Sequence, residues 1–475
     1  MAERIDLLLL AAFLAVVIVL LVTCKRAGAS WLEPGPIFLV GWAVIAGFLS
    51  TTFVVYDQIF TGVSFFSLVF GISAFVIAAL TMRMRYRRRH PQAASAARPT
   101  IAVSSWTLIF SGSIVYLALE AREIIEFFAA GGFDASSLVD LREEHTLRTL
   151  EAQATPASIG KATARVAATL AAVGIPVFWR SRNWLLICVG AAAIVALFAE
   201  SLLAGGRVML AYVALGALYI FVHQRRATDS RIGASSVVRF VFAGLILLAM
   251  SYGMLVVFPA ARNPALIDNV DFFLSYLHDA RVSEWVYRAS ERSLFAALPV
   301  FAFASSYLSQ PIVKYSFFLE HGRIDDWYYL GSYNFPLLGK IGAALTDSRS
   351  SWAEIRAEIA SVSTRFGYAE NPWATGARDL VIDFGLLGMV LAMFLFGAAW
   401  QWLFERARIS AVVEWQIVLA LAMPMAFFFV FFSPFPIGVF SNTLVTALAL
   451  ALMRSLTDTA RRGPGVPAAG AGNAE

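Results

Sequence analysis

The chain has 475 residues, 59% of them hydrophobic and 15% charged, with a mean hydropathy of +0.71. A soluble domain carries about 25% charged residues, so a water-soluble globular enzyme is excluded. The net charge of +5 sets 37 Lys and Arg against 32 acids, and the basic residues stand in short flanks beside apolar runs, a pattern that does not imply nucleic-acid binding. Cys24 and Cys188 both fall inside apolar runs, so no disulfide framework is implied.

The first apolar run, 5–24, is longer than the roughly 7–15-residue core of a secretory leader and lacks a small-residue cleavage site, so it reads as a membrane span. A helix needs roughly 20 apolar residues to cross about 30 Å of hydrocarbon. By that rule the sequence predicts an all-α polytopic membrane protein with about eleven transmembrane helices. They lie near 5–24, 35–55, 62–82, 101–119, 159–178, 184–203, 208–223, 237–258, 379–404, 413–432 and 435–453. The fifth is the weakest, because Lys161 and Arg165 sit in its first turns and must snorkel.

Orientation follows from the distribution of Lys and Arg between spans. Arg83, Arg85, Arg87, Arg88 and Arg89 form the densest cluster, which puts the end of the third span in the cytoplasm. Alternation then places the amino terminus outside and a Gly-, Pro- and Ala-rich tail, 454–475, inside. Residues 1–258 thus hold eight helices with an outer loop at 120–158; residues 259–378 form a large outer loop, and 379–453 the last three helices. A connection of about 120 residues far exceeds an ordinary helix–helix link. Its aromatic content, as in Asp326-Trp327-Tyr328-Tyr329, predicts that it folds. Within it, Ser293 to Val313 is apolar, but Pro299, Pro311 and a cluster of Ser residues favour a surface-lying or re-entrant segment over a plain crossing.

No phosphate loop, dinucleotide fingerprint or H-E-x-x-H helix is present. No cofactor and no metal are expected. The informative pattern is the sidedness of the carboxylates. Glu120, Glu200, Asp379 and Asp383 stand at the outer ends of spans, where a charge must be paired or wet. Arg122, Arg207 and Arg378 are near them in sequence, Arg207 directly after Gly205-Gly206. In the outer loops, Arg142, His145 and Thr149 share one face of an expected helix, and Arg281, Arg288 and Arg292 recur as a stripe. Two readings of such stripes are open: a solvated amphipathic helix, or a cationic wall for a diphosphate, which guanidinium groups bind bidentately. His145, His278 and His321 fall outside, and an imidazole near its ordinary pKa suits a general base toward a sugar hydroxyl.

Several stretches carry a resemblance. Tyr307-Leu308-Ser309-Gln310-Pro311-Ile312, Asn371-Pro372-Trp373-Ala374-Thr375-Gly376, the run Asp-Leu-Val-Ile-Asp-Phe-Gly-Leu-Leu-Gly from Asp379 to Gly388, and Gly205-Gly206-Arg207 resemble the bacterial O-antigen polymerase (oligosaccharide repeat unit polymerase) family. The plan of many spans with two unequal outer loops is similar too. The resemblance implies a C-type glycosyltransferase-like fold in the bacterial inner membrane, with a large helical periplasmic loop and a metal-independent site facing the periplasm. It implies transfer of a growing glycan from undecaprenyl diphosphate onto the nonreducing end of the next lipid-linked repeat unit. Undecaprenyl-diphosphate-linked oligosaccharide, membrane lipid and a chain-length-determining co-polymerase are the implied partners. The matching diphosphate ligands are Arg142, Arg207, Arg292 and Arg378; His321, Glu320 and Asp383 are the candidate catalytic groups, and Tyr307, Gln310 and Tyr333 the candidate glycan contacts. An O-antigen ligase is the nearest alternative. A transporter or flippase of lipid-linked oligosaccharide is another, but transporters commonly carry internal repeats and midplane charges on broken helices, and neither is apparent in the sequence.

Overall fold

The computed structural model describes residues 2–56, 59–89, 101–129, 156–204, 208–228, 269–278, 280–292, 298–321, 333–334, 361, 375–410, 412–434 and 438–462. In chain order the helices are α1 (Ala2–Arg26), α2 (Pro34–Ser50), α3 (Gly62–Arg89), α4 (Val103–Ala129), α5 (Pro156–Arg180), α6 (Trp184–Ala204) and α7 (Val208–Thr228). They continue with α8 (Val270–His278), α9 (Glu284–Ser290), α10 (Leu298–His321), α11 (Gly376–Ile409), α12 (Val413–Phe428) and α13 (Gly438–Arg462). Among the described residues, six helices are long and apolar enough to cross a membrane, and four shorter apolar helices accompany them. Large apolar side chains such as Leu8, Phe70 and Leu387 stay 71%, 61% and 89% exposed, a surface that only hydrocarbon suits. The chain is a membrane-embedded, helical protein. Every expected span except 237–258, which lies outside the described residues, falls on one of these helices.

One departure from the all-α expectation is a two-stranded ribbon. β1 (Val54–Tyr56) pairs antiparallel with β2 (Ala280–Val282), Val54 opposite Val282 and Tyr56 opposite Ala280. The apolar run 35–55 reads through this point, yet the helix stops at Ser50. Thr52 takes a left-handed conformation, φ 52°, which no β-branched residue adopts inside a helix. The β-branched Val54-Val55 that follows then suits extended backbone.

The chain divides into two compact units. One holds 1–89, 225–402 and 425–438; the other holds 90–224, 403–424 and 439–475. In the first, α1, α2 and α3 pack together and α10 lies against α2 and α3. Phe38 stacks on Phe75 at 4.1 Å. A Cβ on Gly397 of α11 would sit 2.1 Å from the Phe75 carbonyl oxygen, so glycine there lets two backbones meet. Near the ends of α1 and α3, Glu33 is 1% exposed and pairs with Arg83 at 2.8 Å and Arg87 at 3.1 Å. Gln401 donates to the same carboxylate, as does the Ser30 amide, and Arg83 also donates to the Ala27 and Gly28 carbonyls that end α1. The arginine cluster read as an orientation marker therefore contains a buried lock.

The proline-interrupted segment, expected to be surface-lying or re-entrant, is a buried helix. α10 runs through Pro311 and is buried along most of its length. Its hydroxyls fasten it inside the unit: Ser309 to the Tyr56 phenol at 2.7 Å, Tyr315 to Ser67 at 2.8 Å, and Ser316 to Ser64 at 2.7 Å. The Ser residues read as weighing against a plain crossing are each hydrogen-bonded, as burial requires.

In the second unit α4, α5 and α6 form a tight three-helix group. Tyr212 of α7 stacks on Phe440 at 4.1 Å and donates to the Leu421 carbonyl. Glu414 accepts from the Ser105 hydroxyl and the Ala102 amide, joining α12 to the start of α4.

Candidate functional site

The Asp379–Gly388 stretch forms the most polar buried structure of the first unit. Thr375 accepts a hydrogen bond from the Arg378 amide through its hydroxyl and so starts α11, the usual role of a short hydroxyl side chain there. The Gly376 amide donates to the Phe429 carbonyl at 2.8 Å. Arg378 follows, 7% exposed, with Nε and Nη2 both on Asp379 Oδ1 at 2.9 and 2.8 Å. One turn on, Asp383 is fully buried. Its Oδ1 accepts the Tyr333 amide and its Oδ2 accepts the Asn334 amide, each at 2.9 Å. The Asn334 side chain also donates to Asp383 Oδ2 at 2.7 Å and to the Asp379 carbonyl at 2.9 Å. Ser433 closes the network by donating to the side-chain oxygen Oδ1 of Asn334.

α11 then breaks. Gly385 has φ 70° and ψ −179°, a conformation essentially confined to glycine. The i, i+4 pair of aspartates thus occupies the short segment before a break, on one side of a helix. Its work in this geometry is to clamp the 333–334 turn onto α11. No break was apparent in the sequence; here two buried carboxylates stand in the turns just before one.

The other expected site residues fall as follows. Arg142 and Arg207 lie outside the described residues, as does the 136–153 helix. Arg292 is exposed, just past α9. The expected stripe of Arg281, Arg288 and Arg292 is not one helix face: Arg281 belongs to β2, Arg288 to α9 with Glu284 at 3.8 Å, and Arg292 follows the helix end. Glu320 is exposed in the last turn of α10, and His321 beside it packs on Phe317 at 4.7 Å. Tyr307 is half-buried against Phe303. Gln310 is fully buried and Tyr333 is 7% exposed, so neither offers a face to a passing glycan in this conformation.

Two carboxylates of the second unit pair with cations on a neighbouring helix. Glu120 of α4 meets Lys161 of α5 at 2.7 Å, and Glu200 of α6 meets Arg165 at 3.1 Å. Tyr116 adds a hydrogen bond to Glu200 at 2.7 Å. Lys161 and Arg165 therefore answer buried carboxylates on neighbouring helices instead of merely snorkelling, which is the cheaper way to keep charge in a membrane helix.

Sequence reasoning missed Asn334, Ser433, Tyr116 and Glu33. Asn334 and Ser433 carry no periodicity that marks them, and only the i, i+4 spacing of Asp379 and Asp383 hinted that a partner was needed. Among the described residues, no group of three or more His, Cys, Asp or Glu side chains is arranged to hold a metal. No protein-family model, no curated protein and no solved structure matches this chain.

Proposed function

We propose that the chain is a surface-polysaccharide polymerase of the bacterial inner membrane, with about eleven spans, a C-type glycosyltransferase-like arrangement and its site toward the periplasm. The observation that carries this reading is the Asp379–Gly388 stretch. Two residues of that stretch, Asp379 and Asp383, join Arg378 and Asn334 in a buried network ahead of a helix break.

In the proposed step, a nonreducing-end hydroxyl of a lipid-linked repeat unit attacks the anomeric carbon of the growing chain. A new glycosidic C–O bond forms, and the bond to the diphosphate oxygen breaks with its electron pair leaving on undecaprenyl diphosphate. The hydroxyl proton passes to a base, for which His321 or Glu320 is suited by position at an accessible helix end. Asp383, whose two oxygens accept three hydrogen bonds, serves as a positioning group. Arg142, Arg207, Arg292 and Arg378 are the cations proposed for diphosphate oxygens. Arg378 is already balanced by Asp379, so it would have to share its guanidinium, and the heavier role goes to the others. A co-polymerase that sets chain length is the proposed protein partner.

Arg207→Ala is expected to abolish long polymer while leaving membrane insertion and amount of protein unchanged, read as the glycan ladder from cells carrying the variant. Full-length chains would remove Arg207 from the diphosphate site. Two further readings have support. A ligase shares the arginines, but requires a lipid A core acceptor. A transporter of lipid-linked oligosaccharide is favoured by one observation, the break at Gly385 beside buried charges; it would move its substrate between leaflets without making a new glycosidic bond.

A further inference from the structure

The last helix, α13, has two faces of opposite character. Phe440, Thr443, Ala447 and Ala451 recur every three or four residues and are buried in the second unit. On the other side Asn442, Val445, Ala449, Leu452 and Leu456 are exposed, Val445 and Leu456 at 64% and 70%. Their spacing alternates three, four, three and four. That is the 3.5-residue repeat of a seam between two supercoiled helices, with Asn442, Ala449 and Leu456 at one heptad position and Val445 and Leu452 at the other.

Exposed Val, Ala and Leu lie comfortably in lipid, where no hydrophobic force drives helices together, so the apolar positions alone argue nothing. Asn442 is different. It lines a groove of about 770 Å³ together with Val115 of α4. One turn beyond Val115, α4 carries Leu119, 49% exposed, so hydrocarbon reaches this level. The amide holds two donors and an acceptor, and among the described residues nothing pairs with it. A lipid tail offers no partner, leaving the amide costly to bury in hydrocarbon, and its side chain is too short to snorkel as Lys and Arg do. Another amide supplies both donor and acceptor, so two Asn442 side chains can bond reciprocally across a two-fold axis. Copies of one chain insert with one orientation, so their α13 helices run parallel. In that arrangement an Asn at this heptad position pairs with itself and fixes the register. The groove walls are small residues, Ser111 and Gly112 of α4 with Gly160, Thr163 and Ala164 of α5, which let a further helix come close.

We propose that α13 is a self-association surface: its 442–456 face packs in parallel on the same face of a second copy, Asn442 against Asn442, with the small residues of α4 and α5 flanking the pair. The pairing is independent of the polymerase reading, because it needs no substrate and no turnover.

Cys24 is buried and Cys188 exposed, so the test is oxidative cross-linking of the full chain in native membranes, in a Cys188→Ser background. Val445→Cys, Ala449→Cys, Leu452→Cys and Leu456→Cys are expected to give disulfide-linked dimers. Ala447→Cys, on the buried side of α13, and Phe70→Cys, exposed on α3, are the controls and should stay unlinked. Single-molecule photobleaching of labelled protein in liposomes, read at increasing lipid dilution, gives the dimer fraction. Asn442→Leu removes the amide from an exposed position and should weaken the dimer roughly three- to tenfold with the thermal midpoint retained. Monomers at every dilution, or face positions that link no more than Phe70→Cys, overturn the proposal. Links to a different protein only, or an undiminished dimer in Asn442→Leu, overturn it too.

Discussion

Asp383→Ala is expected to unfold the first unit well before it reveals anything about catalysis. The carboxylate is fully buried and accepts from the Tyr333 amide, the Asn334 amide and the Asn334 side chain. Removing it orphans three donors, each costing roughly 1–3 kcal/mol when buried without a partner. A total loss of at least about 3 kcal/mol follows, and a membrane protein of ordinary stability tolerates little more. The measurement is the thermal midpoint of purified protein in detergent. Asn334→Ala should act on the same network, so the double variant should lose less than the sum of the two single losses. If Asp383→Ala instead kept the wild-type midpoint and made no polymer, Asp383 would be the base and the clamp would be incidental.

Glu33→Ala is the second large effect. Glu33 and Arg83 side chains are 1% and 5% exposed and 2.8 Å apart. A buried pair as such is weak evidence of stability, because desolvation offsets most of the attraction. Breaking it from one side is another matter, since Arg83 would remain as a buried cation held only by backbone carbonyls. The expected cost is about 3–5 kcal/mol, again read from the thermal midpoint, and Arg83→Ala should cost a comparable amount. Replacing both with apolar residues of similar size, Glu33→Leu with Arg83→Met, should recover much of the loss. A Glu33→Ala variant as stable as wild type would mean that the Ala27 and Gly28 carbonyls and solvent suffice to hold the Arg83 charge.

These two sites also show what the sequence could reveal. The long apolar helices were legible because hydrocarbon demands long apolar runs; α5 follows its expected range closely, while α3 and α13 run well past the carboxyl ends of theirs. The ribbon was hidden because Val54 and Val55 continue an apolar run, and only the left-handed Thr52 marks the stop. α10 was hidden by its own partners: Ser309, Tyr315 and Ser316 look polar until Tyr56, Ser67 and Ser64 are placed beside them. Carboxylate sidedness pointed to Glu120, Glu200, Asp379 and Asp383, while partner identity depended on helix packing, which put Lys161 and Arg165 opposite the first two. Asn334 was invisible, being a single amide in a loop whose value lies only in where the chain returns. Glu33 and Arg83 are fifty residues apart and meet only because α1, α2 and α3 fold together.

Purified protein incubated with lipid-linked repeat units alone, with and without a chelator, tests the polymerase reading most directly. A polymerase of this kind gives a ladder of lengthening glycans on the lipid carrier, unchanged when divalent ions are removed. A reaction that yields no glycan longer than the starting unit, or one that stops on adding the chelator, would contradict it.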